Sequence, residues 1–150
     1  LVGVSEKRLV PLYAKVLSKL GRKTALVCHS SDGMDEISTS VPTTAAWITP
    51  GKVRMAVIRP RSLGLRTATA RNLAACSIRN SKLRAQNILR GIDRGPARDT
   101  IVLNAAFGLF LCKKATSIEE GIVFAEEAID SGKALNILKQ IKEKFSNYDS

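Results

Sequence analysis

The chain carries 45% hydrophobic and 25% charged residues over 150 positions, a balance that excludes a disordered or membrane-embedded polypeptide and supports one core of ordinary domain size. Lysine and arginine number 24 against 13 acidic residues, a formal charge of +11. That excess has two readings, solvated helix faces or a surface that meets phosphates and nucleic acid, and the basic stretches KRLVPLYAKVLSKLGRK, RPRSLGLR and RNSKLRAQNILR lack the interleaved aromatics of a single-strand platform.

The opening LVGVSEKR does not begin with methionine and lacks the basic-then-apolar layout of a signal peptide, so the chain is expected to start at a processed end or inside a longer polypeptide. Residues 5–20 place Leu9, Leu12, Tyr13, Val16, Leu17 and Leu20 at three- and four-residue spacing. This predicts an amphipathic helix facing the core with that stripe, capped by Ser5 and ended by Gly21. TALVCHS follows as a short buried strand, and a helix feeding a strand implies α/β layering.

Next comes HSSDGMDEIS, residues 29–38, with the only histidine, three acidic residues and three hydroxyls at the carboxyl end of that strand. Open α/β sheets keep ligands there. Adjacent Asp35 and Glu36 suit a hard cation such as Mg2+, held by one or two carboxylates plus water and phosphate, while Gly33 permits a sharp turn. A solvated polar turn is the other reading of the same spacing. His29 reads as a structural imidazole that orients or underlies the loop.

TTAAWIT, PGK and VRMAVIRP form a hairpin signal with its turn at Pro50 and Gly51. RSLGLRTATARNLAACSIR has weak periodicity and reads mostly as loop. From Ser81 the pattern is helical: SKLRAQNILRG, then PARDTIVLNAAFGLFLCKKA with Pro96 in a first turn, then SIEEGIVFAEEAIDSG with Ser117 and Glu120 at capping-box spacing and a stop at Gly132. The acidic residues of that third helix read as a solvated face. A last helix, KALNILKQIKEKF, repeats apolar residues at Leu135, Leu138, Ile141 and Phe145. Asn104 interrupts the longest apolar run, residues 101–112, and predicts a hydrogen bond across the core or to a neighbouring turn. That run falls short of the roughly 20 apolar residues of a membrane span, so no membrane partner is expected. Cys28, Cys76 and Cys112 lie far apart with no CxxC pair and read as buried, reduced thiols, which implies the cytoplasm.

HSSDGMDEIS, GPARDTIVLNAAFGLFLCKKATSIEEGIVFAEEAIDSGKAL and VGVSEKRLVPLYAKVLSKLGRKTALV together resemble the C-terminal part of the anthranilate phosphoribosyltransferases, over nearly the whole chain and in order. The most specific pieces are GMDEIS, RDTIVLNAA and AIDSGKA. The resemblance implies a fold like the nucleoside phosphorylase/phosphoribosyltransferase catalytic domain: an α/β sheet flanked by helices, with a mid-chain antiparallel hairpin and a helical C-terminal third. It also implies transfer of a phosphoribosyl group from phosphoribosyl pyrophosphate (PRPP) to anthranilate in tryptophan biosynthesis, with Mg2+ held through Asp35 and Glu36.

Such an enzyme needs a helical N-terminal half and a glycine-rich phosphate loop, which these residues lack, so the remaining half or a homodimer partner would complete the site. The ten glycines are scattered, and no run of them offers successive backbone N–H groups to a diphosphate. Within the matched region Val41 stands where the family usually has glycine, RPRS replaces a commonly acidic stretch, and ACSIRNSK replaces a segment with a glycine pair. With the +11 charge, these departures leave an alternative, a noncatalytic basic relative of the same fold that binds nucleic acid.

Overall fold

The computed structural model describes residues 1–65, 69–74 and 77–145. In chain order the elements are β1 (Val2–Gly3), α1 (Leu9–Lys19), β2 (Ala25–Ser30), β3 (Thr43–Thr49), β4 (Lys52–Ile58), a 3-10 turn (Pro60–Leu63), α2 (Ala70–Leu73), α3 (Ile78–Leu89), α4 (Pro96–Leu111), α5 (Ile118–Asp130) and α6 (Lys133–Phe145). The strands form one sheet in the order β1-β2-β3-β4, with β1 parallel to β2 and the other pairs antiparallel. Helices flank it, as the α/β reading expects, and the last third is helical.

β2 is buried along nearly its whole length because helices cover both of its faces. On one side Ala25 and Val27 join Ala46 and Ile48 of β3 against Val10 and Ala14 of α1. On the other, Leu26 and Cys28 join Ala45 and Ile37 against Leu103 and Phe107 of α4. A further cluster of Ile88, Val102, Ala125 and Ile129 ties α3, α4 and α5 together.

α1 does not bury the stripe expected of it. Val10 and Ala14 are buried and Leu17 is partly so, whereas Leu12, Tyr13, Val16 and Leu20 are exposed. The helix is apolar on two sides, and the side with the small Ala14 lets its backbone approach the sheet. Ser5 lies in a turn before the helix, and Arg8 occupies the cap position without a side-chain capping bond, its guanidinium donating to Glu6 instead. Gly21, at φ 75°, closes the other end as expected, with its N–H donating to Ser18 and that of Arg22 to Leu17.

The hairpin turns at Pro50 and Gly51, where a φ of 72° requires glycine. α3 starts at Ile78, earlier than the expected Ser81, because the Ser77 side chain accepts from the Asn80 N–H. The segment expected to be mostly loop contains the 3-10 turn and short α2, while residues 66–68 and 75–76, with Cys76, lie outside the described residues. Pro96 opens α4, and Ser117 caps α5 by accepting from the Glu120 N–H at 3.1 Å. The Glu120 carboxylate reaches back one residue beyond the cap, to the Thr116 N–H at 2.5 Å. Of the thiols, Cys28 is buried and Cys112 is exposed, because α4 ends as that residue reaches the surface. In α6 Leu135 and Leu138 are half-buried, while Ile141 and Phe145 are exposed where the helix runs past its support on α5 and α3.

α4 and α5 are held by close backbone approach and by an ion-pair network. The acidic face of α5 is not merely solvated, since Glu126 accepts from the buried Arg98 at 2.9 Å and Asp130 at 3.2 Å. A Cβ built on Gly121 would stand 2.8 Å from the Ala106 carbonyl oxygen, so only glycine permits this packing. Gly108, on α4, has nothing within 4 Å of a built Cβ. Gly121→Ala is therefore expected to lower stability by about 1–3 kcal/mol in urea unfolding, whereas Gly108→Ala should be neutral or raise it by up to about 1 kcal/mol through helix propensity.

Candidate functional site

The loop after β2 is built by its own polar side chains. The Met34 carbonyl accepts from the Ser30 N–H at 3.0 Å, and the Gly33 N–H donates to Ser30 at 3.1 Å, with Gly33 at φ 91°. Asp32 closes the loop over this turn: its carboxylate accepts from the Ser30 hydroxyl, from the Ser38 hydroxyl at 2.9 Å and from the Met34 N–H at 3.4 Å. Burial pushes the Asp32 carboxyl up, but the hydroxyls of Ser30 and Ser38 and the N–H of Met34 outweigh it and hold the group below the usual carboxylate range. Ser38 also accepts from the N–H groups of Ser40 and Val41, at 3.0 and 3.3 Å.

Two contacts from distant parts of the chain fix the position of this loop. Asn104 of α4 accepts from the Ile37 N–H and donates to the Ile37 carbonyl, each at 3.0 Å, while its amide also donates to the Thr100 carbonyl at 2.9 Å. Beside it the hydroxyls of Thr39 and Thr100 meet at 3.2 Å. From the other side Gly3 of β1 packs against Asp35 so closely that a built Cβ would lie 1.8 Å from the Asp35 carbonyl oxygen. That carbonyl also accepts from the Cys28 thiol at 3.5 Å.

The three acidic residues are thus divided in use. All three are exposed, but Asp32 is spent on the loop, whereas Asp35 and Glu36 take part in none of the ion pairs among the described residues. Burial, a hydrogen bond with the Asp35 carboxyl and the Asp35 and Asp32 charges raise the Glu36 carboxyl above its usual range. Crowded carboxylates without an ion-pair partner are the donor set that a hard divalent cation relieves. No cluster of three or more metal-ligating side chains occurs among the described residues, so such a cation would draw its other oxygens from water or a phosphate. Glu36 also borders a cleft of about 330 Å3 between the loop, α3 and α4, lined by Met34, Arg84, Ile88, Thr100 and Asn104 among others.

His29 stands apart from this pair. Its Nδ1 lies 2.9 Å from the Val4 carbonyl, to which it donates, tying β2 to the chain after β1. The Cys28 thiol is pushed up to about 11 by burial, reinforced by the Glu36 and Asp35 charges, and is inert at neutral pH. The residues that sequence reasoning missed are Gly3 and Asp32. Asp32 had a local signal, the Ser-Asp-Gly of an Asx turn, but nothing near Gly3 in the sequence points to a contact with residue 35.

A paired-carboxylate loop at the carboxyl end of a sheet strand, beside a cleft and without an ion-pair partner among the described residues, has the chemistry to take a divalent cation that also meets phosphate oxygens. Residues 1–135 match the model of the glycosyl transferase family, a/b domain, and the chain belongs to that family. Its relatives include the anthranilate phosphoribosyltransferases of Petrotoga mobilis, 41% identical over 148 residues, and Desulfitobacterium hafniense, 39% identical over 142 residues; these matches cover 99% and 95% of this chain. The chain spans 42% of the length of both relatives and corresponds to their C-terminal part. Among solved structures, anthranilate phosphoribosyltransferase from Saccharomyces cerevisiae in complex with PRPP and Mg superposes with a TM-score of 0.85 at 28% identity, over 97% of this chain and 42% of that one. The Thermus thermophilus enzyme gives 0.79 at 28% identity, over 92% and 40%.

Two predictions follow from the loop. Asn104→Leu leaves the N–H and carbonyl of buried Ile37 without partners and should cost about 2–4 kcal/mol in denaturant unfolding. The folded chain holds the Asp32 charge to lower pH than the unfolded chain does, so this carboxylate contributes fully above about pH 4 and loses its contribution as pH falls through the lowered value. Asp32→Asn should then cost about 1 kcal/mol at pH 7, modest because the group is largely solvated, and the gap to the parent should close in unfolding curves as pH falls through the lowered value.

Proposed function

We propose that the chain is the C-terminal portion of a two-domain anthranilate phosphoribosyltransferase and supplies part of its magnesium and pyrophosphate site. The enzyme joins the amino nitrogen of anthranilate to the ribosyl carbon of PRPP as pyrophosphate leaves, a step of tryptophan biosynthesis. The observation that carries this reading is the Asp35 and Glu36 pair, hydrogen-bonded to each other, in no ion pair among the described residues, and presented on a loop pinned by Asn104 and Gly3.

Asp35 and Glu36 would hold Mg2+, whose charge, when bound, offsets the negative charge that grows on the leaving pyrophosphate. The chain's own residues do the positioning. Asp32 and Ser38 close the loop, and the Asn104 amide fixes Ile37, the residue next to Glu36, against α4. A pair held this way would receive a cation and its phosphate without first ordering the backbone.

The remainder of the enzyme has surfaces to pack against. Val53, Met55 and Val57 of β4 point to the α1 side of the sheet yet are 41–50% exposed, as is Val16 of α1 at 46%. β1 is a two-residue edge strand whose outer side pairs with nothing among the described residues. Both features support a further part of the polypeptide that packs against this region; the glycine-rich loop expected by resemblance would lie there.

In a polypeptide containing these residues together with that half, Asp35→Asn combined with Glu36→Gln should remove the Mg2+ dependence of PRPP binding and lower kcat/KM by about 100-fold or more. The far-UV spectrum and unfolding midpoint should stay near those of the parent, since both side chains are exposed. Calorimetric titration of PRPP at several Mg2+ concentrations checks this; unchanged dependence in the double variant would remove Asp35 and Glu36 from the site.

A further inference from the structure

On the hairpin side that faces α4, the sheet runs past the core and leaves an open groove. Trp47 pairs with Arg54 and Thr49 with Lys52 across the β3-β4 ladder, so the four side chains leave from one face. With Ala56 and with Phe110 of α4 they line a groove of about 590 Å3. Its wall is aromatic: the Trp47 ring lies 6.0 Å from that of Phe107 and meets Phe110 edge-on at 5.9 Å. Those contacts set the orientation of the half-buried Trp47 within the wall.

The groove's charge is of one sign. Lys52 and Arg54 are exposed, no carboxylate among the described residues pairs with either, and no acidic side chain lines the groove. Alternating residues of a strand stand about 7 Å apart, a spacing of the kind that separates neighbouring phosphates on an extended single strand. Because β4 is the edge of the sheet, the groove has an open side through which a polymer can enter and leave. Thr49 is the only uncharged polar side chain in the lining, so stacking dominates over base-edge readout.

We propose that the groove formed by Trp47, Phe110, Lys52 and Arg54 binds single-stranded nucleic acid without strong sequence preference, one base stacking on the aromatic wall and neighbouring phosphates meeting the two cations. The +11 charge of the chain steers a polyanion toward it. The proposal is independent of the transferase reading, because the groove contains none of the residues of the carboxylate loop.

Trp47 is the single tryptophan of the 150 residues, so its fluorescence reports on the groove directly. Titration of the chain with an eight-nucleotide oligothymidylate at low salt should give saturable quenching, with log K falling against log salt at a slope of about −1.4 for two phosphates. With a labelled oligonucleotide read by anisotropy, Lys52→Glu with Arg54→Glu and, separately, Trp47→Leu should each weaken binding by roughly tenfold or more. Lys52→Arg with Arg54→Lys should retain it. Arg79→Glu with Lys82→Glu, at exposed positions of α3 outside the groove, should leave it within about twofold. Absence of saturable quenching would overturn the proposal. So would equal weakening by the α3 variant, which marks diffuse attraction, or adenosine monophosphate binding as tightly as the oligonucleotide, which marks a free-nucleotide site. Circular dichroism of each variant confirms that the fold is kept.

Discussion

The position of the acidic loop depends on one side-chain amide. Asn104 engages both backbone groups of Ile37, whose side chain is fully buried between β2 and α4. Those backbone groups are withdrawn from water and have no strand or helix to pair with, so without Asn104 their desolvation would oppose the closed loop. The amide is itself oriented by its bond to Thr100 one turn earlier in α4. The carboxylates at 35 and 36 are thereby registered to the helix as well as to the strand they follow. This explains a polar residue inside an otherwise apolar helix. It connects the packing of α4 on the sheet to the geometry of the site.

Electrostatics divides the same loop. Hydroxyl and backbone donors hold Asp32 on the loop and stabilise its charge. Asp35 and Glu36 lack hydroxyl donors of this kind, and burial, with the hydrogen bond to Asp35 and the neighbouring carboxylate charges, raises the Glu36 carboxyl. In a chain of charge +11 this is a negative spot on a positive molecule. A bare anion would be repelled there and a divalent cation would not, so cation and phosphate are expected to arrive together. The groove at Trp47 is its opposite, with cations and an aromatic wall but no carboxylate.

Local patterns were legible wherever chemistry acts within a few residues. The β2 strand, the Pro50 and Gly51 turn, the Pro96 start, the Ser117 cap and the stops at Gly21 and Gly132 all depend on side chains beside them in sequence. What the sequence could not show is which of two apolar stripes on α1 meets the sheet, since small Ala14 against large Leu12 is settled by the space left under β2 and β3. The same holds for Gly3, required by residue 35 across a parallel pairing, and for the aromatic groove, where Phe110 joins a hairpin far from it in sequence. In the site, the paired carboxylates were visible as a motif and by resemblance. The clamp that holds them was visible only as an unexplained Asn104.

The family membership rests on residues 1–135, and the chain spans 42% of the length of these relatives; under the proposed function it is one wall of an active site whose other wall is supplied by the remaining polypeptide. The central claim is that this wall holds a divalent cation at Asp35 and Glu36 when pyrophosphate is present. The most direct measurement is paramagnetic broadening of amide NMR signals by Mn2+, with and without pyrophosphate, on the uniformly labelled chain. The account predicts that signals of residues 33–38 broaden first and that pyrophosphate strengthens the effect. Broadening centred elsewhere, or none at these residues with pyrophosphate present, would contradict it.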